Sequence, residues 1–325
     1  MEVHLPNSGF LGNIELFLRK LRFENPKELN ISFNPKWVSV HPVILAAVAA
    51  IAEECKLNNV PIVVPRQLAP KSYPYFVRMG LFDCIGIKSP QEIEFHEGAG
   101  RFVPLRKISS GAELSNFISD MIPLLHAKPE NADPIKYVVS ELIRNVLEHA
   151  ESPVGAFICA QYFKNKNRIS IGVADRGMGI TNSMSISHTV NNDKEAINLA
   201  LRPGITGTTK RIGGTENNAG AGLFFTRNIA KASDNLFFIY SGNAYFKQLK
   251  KKKQPAEQME LFSDPFLDPC TVRSDAKVWN GTIVGLDIAA EGGKSFSHLL
   301  GNIRQAYSLD VKHKNKEKYK RPRFI

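Results

Sequence analysis

Ser140-Glu141-Leu142-Ile143-Arg144-Asn145-Val146-Leu147-Glu148-His149-Ala150 is a helical phrase with two unlike faces. Ile135, Val138, Val139, Leu142 and Val146 recur at helical spacing, so the helix predicted from Pro134 to Ala150 packs that stripe on a core. On the other side Glu141, Asn145 and His149 follow at steps of four and form one row pointing the same way. A carboxamide oxygen suits Mg²⁺, and a carboxylate one turn earlier can polarise a nucleophile, so the row fits a phosphate site. The same residues are also ordinary on a solvent-facing helix, and the row alone does not decide between the two.

Downstream, strands are predicted at Val154 to Phe163 and Arg168 to Ala174, joined by the polar turn Lys164 to Asn167. Ile169, Ile171 and Val173 alternate toward one buried face. The second strand runs into Asp175-Arg176-Gly177-Met178-Gly179. A carboxylate there can accept a hydrogen bond from an exocyclic amine such as adenine N6, and the glycines let backbone approach a ring or sugar. A plain strand-ending turn accounts for the same residues. Gly220-Ala221-Gly222-Leu223 opens a helix predicted to end at Ala232, so free N–H groups and the helix dipole face an anion, although a glycine turn without function reads alike. Gly281-Thr282 opens a strand ending at Ile288, where the Thr hydroxyl can bond a base or a water; Thr is also common in strands. Thr181 to Asn218, with one helix predicted at Asp193 to Leu201, reads as a mobile loop. After the strand Leu236 to Tyr240, Gln248 to Lys277 reads as an irregular insertion containing Pro255, Pro265 and Pro269.

In fixed order the chain thus carries E-x-x-x-N-x-x-x-H on a helix, D-x-G-x-G after a strand, G-x-G-L before a helix and G-T on a late strand. This ordered set resembles the gyrase, Hsp90, histidine-kinase and MutL (GHKL) ATPase superfamily, matching its N, G1, G2 and final G boxes over more than half of the chain. The resemblance implies an α+β module over residues 106–290 that binds ATP and Mg²⁺. Its form would be a two-layer α/β sandwich of the Bergerat type, a mixed sheet covered by helices on one face. Position by position, the resemblance makes Glu141 the general base, Asn145 the Mg²⁺ ligand and Asp175 the adenine reader. Gly177 and Gly179 become the adenine-side turn, Gly220 and Gly222 with Leu223 the phosphate-facing turn, and Thr282 the adenine-pocket hydroxyl. Thr206 to Asn218 would be the ATP lid, with Lys210 or Arg211 reaching the phosphates.

Within the superfamily, the phrase from Ser140 to Ala150 is most similar to the anti-sigma-factor serine kinases, which phosphorylate a serine on small STAS proteins. Histidine kinases share the Asn but pair it with a dimerising helical hairpin bearing the phosphoacceptor His, and no such hairpin is read here. His96-Glu97 precedes Gly98-Ala99-Gly100, which would break a helix, so it is not read as that acceptor. No G-x-x-x-x-G-K-[ST] occurs, which removes a Walker-type site. The resemblance therefore implies a Mg-ATP-binding regulator, a protein serine/threonine kinase or ATP-driven switch acting on a protein partner such as a small STAS-like protein. Two alternatives stay open: an ATPase whose cycle drives conformational change or formation of a homodimer, and a non-catalytic nucleotide-gated binding module.

Residues 1–105 are predicted to form a small α/β domain, from the strand Leu29 to Phe33, the helix Pro42 to Lys56 and the strand Val60 to Val64, with a further helix at Tyr73 to Leu81. The pattern from Leu29 to Val64 resembles STAS domains. Ser39 lies near the place of their phosphoacceptor, although a surface serine at a helix start explains it as well. Ser109 or Ser110 can cap a helix running to about His126, and Asp133-Pro134 signals the start of the next. With 325 residues, 43% of them hydrophobic, the chain has room for one large and one smaller domain. Lys and Arg outnumber Asp and Glu by 42 to 31, which suits phosphates, nucleic acid or acidic proteins without choosing among them. Lys250 to Lys253 and Lys312 to Arg323, the latter in a basic tail over residues 291–325, lack interleaved aromatics and read as solvated segments, so nucleic acid is not the expected partner. The four scattered cysteines suggest neither zinc nor disulfides. Val43 to Ala52 is about half the length that spans a bilayer, and Met1 to Phe10 lacks a signal-peptide pattern. A cytoplasmic protein without membrane contact is expected.

Overall fold

The computed structural model describes residues 1–23, 27–64, 72–88, 102–125, 129–209, 220–250, 261–290 and 296–319. Its elements begin with β1 (Glu2–Leu5), β2 (Ser8–Gly9), α1 (Glu15–Leu18), β3 (Leu29–Phe33), β4 (Ser39–Val40), α2 (Pro42–Leu57), β5 (Ile62–Val63), α3 (Tyr73–Arg78) and α4 (Leu81–Ile85). They continue with β6 (Phe102–Ile108), α5 (Gly111–Leu124), α6 (Pro129–His149), β7 (Ala156–Phe163), β8 (Arg168–Ala174), α7 (Gly179–Ser185) and α8 (Asp193–Ala200). Last come α9 (Gly222–Ala232), β9 (Phe237–Gly242), β10 (Ala244–Gln248), β11 (Cys270–Arg273), β12 (Trp279–Ala289) and α10 (Phe296–Tyr319). The protein is a mixed assembly of helices and sheets, as an α+β chain should be.

A seven-stranded sheet in the order β11-β10-β9-β12-β8-β7-β6 organises the molecule. Strand periodicity divides its side chains between two cores. Ile158, Ile171, Val173, Ile239, Val284 and Leu286 face the front, where α5, α6 and α9 pack. Phe157, Cys159, Ala174, Phe238, Tyr240 and Ile283 face the rear, where α2 lies across β7, β8 and β12. The helix α2 is apolar all round and Val43 through Ala52 are buried, because it is held between this sheet and a small parallel sheet, β1-β3-β5. Gly172 makes the approach possible, since a Cβ there would stand 2.1 Å from the backbone N of Val43. Burying Val43, Ile44, Leu45, Val48 and Ile51 contributes about 1.5–3 kcal/mol each, so apolar packing dominates the attachment of the rear layer. A polar junction orients it. His41 caps α2 by accepting from Val43 N–H at 3.1 Å, and its Nε2 lies 3.2 Å from Asp287 Oδ1. Ser170 and Arg168 complete the surroundings of Asp287 at 2.5 and 3.3 Å.

Several expectations need correction. Every pairing in the large sheet is antiparallel, so it is not mixed; the parallel pairs are β1 with β3, β3 with β5 and β2 with β4. Helices cover both of its faces, because α2 packs on the rear rather than on a sheet of its own alone. The position taken as a boundary, between residues 105 and 106, falls inside β6, a strand the sequence reading did not find. The helix expected to start at Asp133-Pro134 begins at Pro129, so Pro134 sits in its second turn and removes one backbone bond there. The supposed loop from Thr181 carries most of α7 as well as the expected α8, and the insertion carries the strand β11. The tail folds in part as α10, whose Ile303 is fully buried against the front helices. His96, Glu97, Lys210, Arg211 and residues 251–260 lie outside the described residues. Among the described residues, no helix is long and apolar enough to cross a membrane.

Candidate functional site

On the front of the sheet, α6, α7, the start of α9 and the segment 205–207 enclose a cavity of about 340 Å³, the size range of small-molecule sites. Val173, Ile239 and Val284 from β8, β9 and β12 form its apolar floor. From one wall α6 presents Tyr137, Glu141, Asn145 and His149, the step-of-four row extended by one turn. Opposite them stand Thr206, Gly220, Gly222 and Leu223, while Asp175, Gly179 and Thr282 close the end where β8 and β12 meet.

Asp175 is 1% exposed. Its Oδ1 accepts from Gly177 N–H at 2.8 Å, its own N–H donates to Thr282 O at 2.9 Å, and Trp279 Nε1 donates to its backbone O at 3.1 Å. Burial pushes its carboxyl up to about 7, against the opposing effect of the Gly177 and Thr282 N–H groups and the Arg176 charge. A buried carboxyl that forms no ion pair among the described residues is suited to accept from a neutral amine. Gly179 follows with φ +76°, and Ser241, buried on β9, ties this turn to the next strand: its Oγ accepts from Ile180 N–H at 2.9 Å and donates to Gly281 O at 2.7 Å.

Glu141 is half-buried, and burial raises its carboxyl above the ordinary range, with Arg144 opposing and Glu148 adding to the rise. It stands directly over the beginning of α9, since a Cβ on Gly222 would fall 2.3 Å from Glu141 Oε2. Gly220 has φ +62° and closes against Ile205, whose carbonyl would stand 2.5 Å from an added Cβ. The backbone N–H groups that open α9 therefore lie beside a carboxylate raised in proton affinity, an arrangement suited to a phosphate end. Asn145 Nδ2 is buried on the cavity wall without a hydrogen-bond partner, so its N–H groups can donate to a ligand there. Thr206 is buried on the same cavity, with His188 Nε2 2.9 Å from its carbonyl.

Of the residues singled out in the sequence, Glu141, Asn145, Asp175, Gly179, Thr206, Gly220, Gly222, Leu223 and Thr282 line this one cavity. Gly177 does not line it. Its turn is packed on the end of α6, where a Cβ would fall 2.0 Å from Ala150 O. Lys210 lies outside the described residues. Ser241 and Tyr137 were missed; the step-of-four row already pointed to Tyr137, whereas nothing local marks a serine inside an apolar strand. Among the described residues no group of three or more His, Cys, Asp or Glu is placed to hold a metal ion. A Mg²⁺ ion here would take Asn145 as its protein ligand and complete its shell with phosphate oxygens and water. Compared with known protein families and with curated proteins, the sequence matches none.

Proposed function

We propose that the protein is an ATP-binding regulator of the GHKL class, with the sheet and front helices as its Bergerat-type fold, and that it transfers phosphate to a hydroxyl of a partner protein. The observation that carries this is the meeting, in one cavity, of residues that lie far apart in sequence: Glu141 and Asn145, Asp175 and Gly179, Gly220 to Leu223, and Thr282. Asp175 would accept from the adenine amine over the apolar floor of Val173, Ile239 and Val284, and the N–H groups that open α9 would face the phosphates. Mg²⁺, when held by Asn145, supplies charge neutralisation on the phosphates. Glu141, beside that end and raised in proton affinity, would take the proton of the acceptor hydroxyl.

The acceptor is expected on another molecule. Ser39 precedes α2 by three residues, on the rear side of the sheet, while Glu141 faces the front cavity. A small STAS-like protein remains the proposed partner. Incubation with γ-labelled ATP, Mg²⁺ and candidate STAS-like proteins tests the reading. Label on a serine or threonine of the partner, lost in Glu141→Ala, is the expected result. Release of free phosphate alone would transfer the assignment to an ATPase, and absence of Mg²⁺-dependent nucleotide binding would remove the assignment altogether.

A further inference from the structure

Asp175 and Arg176 are neighbours where β8 ends, and neighbours along a strand face opposite ways. Asp175 continues the front series Ile169, Ile171, Val173 and lines the cavity. Arg176 continues the rear series Ser170, Gly172, Ala174 and reaches α2, where its Nε and Nη2 donate to Glu54 Oε2 at 2.9 and 2.7 Å. The guanidinium lies against an edge-to-face pair of rings, 4.5 Å from the centre of Trp279 and 5.6 Å from that of Phe23. Trp279 is fully buried and its indole N–H holds the backbone O of Asp175. Arg176 is only 7% exposed and its Nη1 is buried without a partner. Packing alone does not account for a buried cation one bond short, since an apolar side chain would fill the same space without that penalty.

We infer that Glu54, Arg176 and Trp279 are positioning residues for Asp175, through which α2 of the rear layer sets the nucleotide affinity of the front cavity. This rests on Asp175 reading an adenine nucleotide. The route is short: Glu54 fixes the guanidinium, the guanidinium fixes the indole plane, and the indole fixes the Asp175 carbonyl. Glu53, one residue earlier on α2, pairs with Lys107 and Lys56 at 2.8 and 3.5 Å and serves as an internal control. Arg176 also opposes protonation of Asp175; among the described residues the other titratable groups lining the cavity are Tyr137, Glu141, Arg144, Glu148 and His149, all on α6.

The test is calorimetric titration of Mg²⁺ with a non-hydrolysable ATP analogue, at pH values from 6 to 9, into the full chain and its variants. Arg176→Met and Glu54→Gln are each expected to weaken binding about five- to tenfold, with the double variant no weaker than the worse single one. Glu53→Gln stays near the unmodified protein. In Arg176→Met the pH below which affinity falls moves upward, because the opposing charge is gone. Arg176→Lys keeps the charge but loses the fork, so it weakens binding without moving that pH, and it serves if the Met variant does not fold. Wild-type affinity in both single variants, additive losses in the double variant, or a weakening of Arg176→Met equal at every pH would each overturn the inference while leaving the nucleotide site standing. No binding by the unmodified chain would remove the proposed function and this inference with it.

Discussion

Replacing Asp175 by Asn is expected to stabilise the nucleotide-free protein at pH 8 and to leave its stability nearly unchanged at pH 4. Burial holds this carboxyl at about 7 in the folded chain, against an ordinary value of 3.8. That displacement corresponds to about 4 kcal/mol held against the ionised form. The folded protein binds the proton more tightly than the unfolded chain, so the favourable contribution is complete below pH 3.8 and is lost as pH rises through about 7. Asparagine does not ionise, and its oxygen can still accept from Gly177 N–H, so the variant lacks this slope. The stability difference between the two proteins should therefore grow from near zero at pH 4 to about 4 kcal/mol above pH 8, with every other titrating group cancelling. Urea denaturation of both proteins at half-unit steps of pH measures it directly. A difference that is flat with pH, or a variant less stable at pH 8, would refute the account of Asp175 as a carboxyl held buried. If Asp175 reads adenine as proposed, the same variant should bind the nucleotide more weakly, so stability and binding move in opposite directions at one residue.

Two glycines separate site from scaffold. Gly222→Ala sets a methyl 2.3 Å from Glu141 Oε2, the free end of a flexible side chain, so the fold survives. Alanine favours the helix by up to about 1 kcal/mol, and thermal denaturation should show unchanged or slightly raised stability. The proposed phosphate transfer should fall by about a hundredfold in turnover assays as the carboxylate is displaced. Gly172→Ala sets a methyl 2.1 Å from the backbone of Val43, which cannot swing aside, and should lower stability by roughly 3 kcal/mol in urea unfolding.

What could be read from the sequence followed from how local each signal is. The row on α6 and the turn after β8 were legible because helical and strand periods fix the direction of each side chain from its neighbours alone, as Glu141, Asn145 and Asp175 illustrate. The strands β7, β8 and β12 were legible for the same reason. The rear layer was not. Leu29 to Val64 reads as a complete strand, helix and strand unit, and it forms one in β3, α2 and β5, but no local rule says that the all-apolar α2 also needs the larger sheet on its other side. The signal existed in Gly172 and Gly285, two glycines on rear-facing positions of neighbouring strands, where a close approach removes room for side chains. The parallel pairing of β3 and β5 was read correctly, whereas the mixed sheet implied by the resemblance is antiparallel throughout, since pairing direction depends on connections. The strands β10 and β11 were hidden in a charged segment by half-polar sequences such as Lys247-Gln248, although Lys247 is buried against Glu15 and the carbonyl of Gly12.

The contrast between two buried aspartates bears on what the cavity is for. Asp287 is sealed between the sheet and α2; burial alone would raise its carboxyl, yet His41, Arg168 and Ser170 overcome it and hold the carboxyl below its ordinary range. Asp268 is likewise met by Arg227 and Lys231, at 3.3 and 2.6 Å. These are charges compensated within the fold. Asp175 is as deeply buried, but the neighbouring Arg176 is turned to the rear and paired with Glu54, and its opposing effect is outweighed by burial, so the carboxyl remains raised. Among the described residues no ion pair meets Asp175 at the cavity, where Glu141 is raised despite Arg144 and Asn145 Nδ2 is unpaired. A stability-only design would remove all three. Their presence together on the wall and end of one cavity is understandable if a ligand supplies the missing donors and acceptors, an amine toward Asp175 and a metal-bound phosphate toward Asn145.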